Sequence, residues 1–123
     1  MFKVRFDMDL SIVIVNYKSK EKTKECLNSI LSADLSGLKW ELILIENDSG
    51  DKLSDLIEGL ENCKLIESDK NLGMGGGNNL GIKVSSGEFI LILNPDTELK
   101  PSAVKLMINY IKQNDDVYVV GPK

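Results

Sequence analysis

The sequence predicts an α/β fold of three layers, with helices on both faces of a mainly parallel sheet. Three observations carry that prediction. Short apolar runs rich in β-branched residues, the mark of strands buried on both faces, recur along the chain. Segments with apolar residues at helical spacing lie between them. Polar clusters follow the strands, as in open sheets that take ligands beyond their carboxyl ends. Alternation of this kind favours parallel pairing with right-handed crossovers.

The elements follow in order. Residues 10–15, Leu-Ser-Ile-Val-Ile-Val, form the first strand. Ser19 is placed to cap a helix whose inner face is Thr23, Cys26, Leu27, Ile30 and Leu31. Residues 40–45 are the second strand. A second helix is expected from Leu53, Leu56, Ile57 and Leu60 at i, i+3, i+4 and i+7. Residues 63–67 are a third, weaker strand. The glycine- and amide-rich run from Asn71 to Gly81 reads as a flexible turn entering a short helix through Ile82 and Val84, which Gly87 ends in the left-handed conformation. Residues 89–93 are a fourth strand, buried on both faces. Pro101 suits the first turn of a last helix with Val104, Met107, Ile108 and Ile111 inward, and residues 117–120 start a fifth strand.

Bulk composition narrows the function. A chain of 123 residues makes one domain with a modest core. Its net charge of −4 gives no electrostatic case for nucleic acid as a partner. No apolar run approaches the roughly 18 residues of a membrane span. Residues 1–9 are too short and too charged for a signal peptide and read as a lead-in to the domain at 10–123. The absence of histidine excludes imidazole bases and His-based metal sites within this chain. Cys26 and Cys63 read as reduced core residues of a cytoplasmic protein.

The stretch at 88–98 organises the rest: an apolar run broken at Pro95, with Asn94, Asp96 and Thr97 crowding the break. Asp96 offers a carboxylate to a divalent cation that would bridge to ligand phosphates; the same residues also suit an ordinary β-turn. The cluster 46–51 either contacts a base or ribose, or is a strand-to-helix loop capped by Ser49 or Asp51. Tyr17 either stacks on a base or is a half-buried aromatic. The glycine run lets backbone approach a phosphate closely. It is no dinucleotide fingerprint, because Asn78 stands where the third glycine belongs, and no P-loop, because no Gly-Lys-Ser/Thr follows.

Four motifs carry a resemblance running from about Leu10 to the end: Ser11-Ile12-Val13-Ile14-Val15-Asn16-Tyr17; Glu46-Asn47-Asp48-Ser49; Asn71-Leu72-Gly73 through Asn78-Asn79-Leu80-Gly81; and Leu93-Asn94-Pro95-Asp96-Thr97. Together they resemble the N-terminal, nucleotide-sugar-binding half of the GT-A-fold inverting glycosyltransferases of family 2, nearest the rhamnosyltransferase-like branch. The resemblance implies that Val15, Asn16 and Tyr17 line the base pocket and that Glu46, with Asp48 nearby, takes the place of an aspartate contacting the nucleoside. Asn71, Gly73 and Asn79 would border the nucleotide. Asn94-Pro95-Asp96 matches the family's Asp-x-Asp, with Asp96 as the metal-binding carboxylate and Asn94 in place of the first aspartate.

The resemblance further implies a Mg²⁺ or Mn²⁺ cofactor and a nucleoside diphosphate sugar, UDP- or dTDP-linked, as donor. The acceptor would be a glycan or lipid-linked sugar, in cell-surface polysaccharide biosynthesis. The setting would be cytoplasmic, peripheral at the membrane in the full-length protein. No second acidic motif follows Val117, so the chain reads as a truncated, donor-binding half whose acceptor-binding half, with the general base, is expected beyond Lys123. By itself it would be inactive, and its open sheet edge would favour a homodimer. Two other classes stand beside this reading: a non-catalytic nucleotide-binding module, and a flavodoxin-like interaction domain.

Overall fold

The computed structural model describes residues 6–122 and contains one sheet of four parallel strands: β1 (Met8–Asn16), β2 (Trp40–Glu46), β3 (Cys63–Glu67) and β4 (Gly87–Leu93). The order is β3-β2-β1-β4, so chain direction across the sheet reverses between β1 and β4. Three helices cover it: α1 (Lys20–Leu31), α2 (Gly73–Val84) and α3 (Ala103–Gln113). Strand alternation divides the core in two. Leu10, Ile12 and Ile14 pack with Cys26, Leu27 and Ile30 of α1 and Val104 and Ile108 of α3 on one face. Val13, Val15, Ile43 and Ile45 meet Leu80 and Val84 of α2 on the other. The three layers are those expected. Of the lead-in at residues 1–9, residues 1–5 lie outside the described part, while Met8 and Asp9 already belong to β1.

Most of the glycine run is helix, not a flexible turn: α2 begins at Gly73 and takes in the stretch from there to Gly81, leaving Asn71 and Leu72 as the loop before it. Its glycines are poor helix formers, and packing supplies the reason for them. A Cβ on Gly81 would lie 2.4 Å from a Val13 methyl, and one on Gly77 would lie 2.7 Å from a Val15 methyl. The bare glycine stripe therefore brings the α2 backbone down onto β1. Gly87 does not end the helix. It is the first residue of β4, where a Cβ would meet the Ser11 nitrogen at 2.4 Å.

Four further expectations are corrected. The apolar pattern at 53–60 buries Leu53 and partly buries its companions, but only a 3-10 turn forms (Ser54–Leu56), and Gly59 breaks the backbone at φ +81°. Ser19 precedes α1 without capping it; its hydroxyl donates to the Tyr17 carbonyl instead. Residues 117–120 join no ladder, which leaves β4 at the sheet edge. In consequence β4 is not buried on both faces: Ile90 is 40% and Ile92 45% exposed, on the α2 side of the sheet but beyond what α2 covers.

A buried carboxylate ties β1, β2 and β4 together. Glu41 accepts from the Ser11 hydroxyl (2.7 Å) and the Ser86 N–H (2.7 Å), and pairs with Lys64 at 3.2 Å. Burial pushes its pKa up, but the Ser11 hydroxyl, the Ser86 N–H and Lys64 outweigh this and hold it below its ordinary 4.5. The folded chain thus binds this proton less readily than the unfolded chain. The contribution to stability is full above the unfolded value and is lost as pH falls through the lower folded one. The thermal midpoint followed by circular dichroism is expected to fall as pH drops below about 4.5, and to fall less steeply in Glu41→Gln, which cannot titrate.

Candidate functional site

Carboxyl ends of parallel strands collect the polar clusters on one edge, and the reversal between β1 and β4 opens a gap there. A cleft of about 250 Å³ lies at this edge, lined by Val15, Tyr17, Ser19, Asn47, Asn71, Gly73, Met74 and Pro95. It shares Ser19, Met74 and Pro95 with an adjoining hollow of about 230 Å³, which adds Lys22, Asn94 and Asp96. A larger hollow of about 550 Å³ lies on the other side of Asp96, between α1 and residues 95–101.

The expected site residues separate into walls and supports. Val15, Tyr17, Asn71 and Gly73 form walls of the cleft, with Tyr17 exposed to it, and Asn94 and Asp96 line the adjoining hollow. Asn16 and Glu46 stand behind them. Asn16 is fully buried; its amide donates to Glu46 (3.3 Å) and Asp51 (3.0 Å), and its carbonyl accepts from Thr23 at 2.7 Å. The Glu46 carboxylate, 5% exposed, accepts from the Ser49 N–H at 3.0 Å and from the Ser49 hydroxyl. Ser49 therefore closes the loop after β2 rather than capping a helix. Asp48 is exposed and holds a left-handed backbone, φ +61°, which aspartate tolerates better than most residues. Asn79 is exposed on α2 and lines none of these cavities.

Five contributors escaped the sequence reading as site residues: Ser19, read only as a helix cap, lines both cavities, and four more join it. Met74 follows Gly73 at the start of α2 and is 51% exposed against the cleft. Lys22, on the first turn of α1, is the cation of the Asp96 hollow; the signal for it was a basic residue one turn beyond the polar end of β1. Pro95 stands in both cavities. Asn47, between two acids in the sequence, is 2% exposed and bonded to the far loop.

Asp96 is exposed, and its negative charge reaches α1: burial first, and then this carboxylate, push the Cys26 thiol up to about 11. No group of three His, Cys, Asp or Glu side chains among the described residues is arranged to hold a metal. One carboxylate with open space beside it suits Mg²⁺ or Mn²⁺, which are commonly held by one or two carboxylates, with water and ligand phosphates completing the shell.

A strand-order reversal with polar loops gathered at the carboxyl edge is where open α/β sheets take their ligands. The chain belongs to glycosyl transferase family 2, whose family model matches residues 11–123. It is 34% identical over 119 residues to the hexosyltransferase Agl10 of low-salt glycan biosynthesis in Haloferax volcanii, covering 94% of this chain and 36% of that one. Among solved structures, TarS of S. aureus in complex with UDP-GlcNAc superposes with a TM-score of 0.76 at 24% identity, covering 86% of this chain and 32% of TarS. The mannosyltransferase PcManGT of Pyrobaculum calidifontis, in complex with GDP-Man and Mn²⁺, superposes at 0.76 with 16% identity, covering 89% of this chain and 36% of that one. The arrangement of strands and helices is thus the GT-A fold. The chain spans 19% to 36% of the length of three curated relatives that it matches.

Proposed function

We propose that this chain is the donor-binding part of an inverting glycosyltransferase, and that the cleft between β1, β2 and the start of α2 holds a nucleoside diphosphate sugar. The observation that carries the reading is the continuity of the cleft with the Asp96 hollow: an aromatic and amide-lined compartment runs into one with a carboxylate and Lys22. The first has the chemistry for a nucleoside. The second suits a diphosphate met by a cation and an ammonium group. Tyr17 would stack on the base, Asn71 and Gly73 would border the nucleoside, and Asn16 and Glu46 would hold the pocket's shape from behind. UDP-GlcNAc and GDP-Man in the two structural neighbours support a nucleotide sugar as ligand, and the Mn²⁺ supports a divalent cation.

Mg²⁺ or Mn²⁺ at Asp96, when bound, would offset charge building on the diphosphate leaving group. The acceptor hydroxyl would attack the anomeric carbon in line, activated by a general base. In the proposed whole enzyme, acceptor site and base lie in the length by which the relatives exceed this chain. Calorimetric titration with UDP, dTDP and GDP, with and without Mn²⁺, tests the donor site. Metal-dependent binding of one nucleotide without transfer to simple acceptors is expected. Binding of none of the three would overturn the reading, and turnover by the chain alone would overturn the separate siting of the base.

A further inference from the structure

The cleft wall formed by residues 71–73 is exposed at Asn71 and Gly73, yet it is tied from beneath by one side chain. Asn47 donates from its amide to Asn71 Oδ1 (3.1 Å) and to the Gly73 carbonyl (3.1 Å), and its own Oδ1 accepts the Leu72 N–H at 2.9 Å. Asn71 Oδ1 in turn accepts the Gly73 N–H at 2.8 Å. Below, the Asn47 N–H donates to the Asn16 carbonyl at 2.9 Å, which fixes the residue to β1. Both amide hydrogens of a buried side chain thus go to one short loop. That loop starts α2 through Gly73, whose φ of +73° a side chain would strain.

We propose that Asn47 is a positioning residue: it holds Asn71 and Gly73 in their ligand-bordering geometry before a nucleotide arrives, so that binding need not order this wall. The inference rests on the donor-site reading and deepens it. Preorganisation of a wall appears as affinity, because ordering a loop on binding costs free energy that a preset loop has already lost. A buried asparagine serving the fold alone would lower stability without changing affinity in the fraction that remains folded.

The isosteric Asn47→Asp separates the two. It keeps an acceptor for the Leu72 N–H but sets a carboxylate oxygen against Asn71 Oδ1 and the Gly73 carbonyl, where a donor is needed. The probe is whichever of UDP, dTDP or GDP, with Mn²⁺, titrates the wild-type chain. Affinity is expected to fall about tenfold in Asn47→Asp, equivalent to about 1.4 kcal/mol. The Leu72 and Gly73 amides should exchange faster in the free protein. Asn71→Ala should weaken binding too, and the double variant should bind no worse than Asn47→Asp alone, since the first change already releases Asn71. Additive losses, or wild-type affinity in Asn47→Asp, overturn the proposal. If Asn47→Asp does not fold, Asn71→Ala, altered at an exposed position, decides: unchanged affinity and exchange at Gly73 overturn it. A wild-type chain that binds none of the three nucleotides sinks the donor-site reading and this inference with it. Normal wild-type binding with an indifferent Asn47→Asp sinks this inference alone.

Discussion

Asp96→Ala is expected to lower Mn²⁺-dependent nucleoside diphosphate affinity on the order of 100-fold, about 2.7 kcal/mol, while leaving the thermal midpoint nearly unchanged. The size follows from what surrounds this residue. None of Ser19, Lys22 and Asn94, its polar companions in the hollow, can replace an anionic ligand to a divalent cation. Among the described residues no second carboxylate lines this hollow to compensate. Stability should hardly move, because Asp96 is exposed and makes no ion pair among the described residues. Removing its charge should also ease the Cys26 thiol slightly downward, since that charge is the smaller of the two causes raising it. Calorimetry with and without Mn²⁺ provides the check. Affinity lost equally in both conditions would assign Asp96 a direct contact with the nucleotide, and unchanged affinity would remove it from the site.

Gly81→Ala is expected to be the most damaging methyl addition in α2. The new Cβ would sit 2.4 Å from one Val13 methyl and 3.2 Å from the other. Val13 is fully buried in β1, between β2 and β4, so it has no room to retreat and α2 must lift instead. Overpacking of this kind costs about 1–3 kcal/mol. The gain in helix propensity on replacing glycine, about 1 kcal/mol, offsets part of that. A net loss of about 1 kcal/mol lowers the midpoint of a domain this size by roughly 4 °C. Two controls sharpen the test. Gly75→Ala, where nothing lies within 4 Å, keeps the propensity gain without the clash and should raise the midpoint. Val13→Ala combined with Gly81→Ala should be more stable than the sum of the single effects predicts, because the truncated valine makes room for the methyl. A Gly81→Ala midpoint at or above that of Gly75→Ala would refute close α2–β1 packing.

β1 and β2 were legible because burial on both faces leaves a direct trace, a nearly unbroken apolar run, and all four strands, β3 and β4 being partly exposed, lie within one or two residues of their expected bounds. The misreadings share a cause: tertiary contact overrode a local signal. Glycine in the 73–81 run signals flexibility to a reader who sees only propensity, whereas Val13 and Val15 across the interface demand it. The spacing of Leu53, Leu56, Ile57 and Leu60 correctly marks residues that pack on the core, but Gly59 and the short span allow only one tight turn. In β4 the alternation of burial comes from its edge position, which an apolar run cannot disclose. Of the candidate cleft, the lining at Val15, Tyr17, Asn71 and Gly73 was legible. Its supports were not, since whether Asn16 or Glu46 meets ligand or loop depends on Ser49, Asp51 and Thr23, which only the folded chain brings to them.

The sparse side chains of α2 have a bearing on heat and function together. Five glycines among its twelve residues deprive this helix of autonomous order, so it holds its shape only while docked on valines. Local melting should therefore begin at α2, with the sheet still intact. On the donor-site reading, binding should be lost before the sheet melts, and a bound nucleotide, by pinning the start of α2, would shield the least self-sufficient segment first.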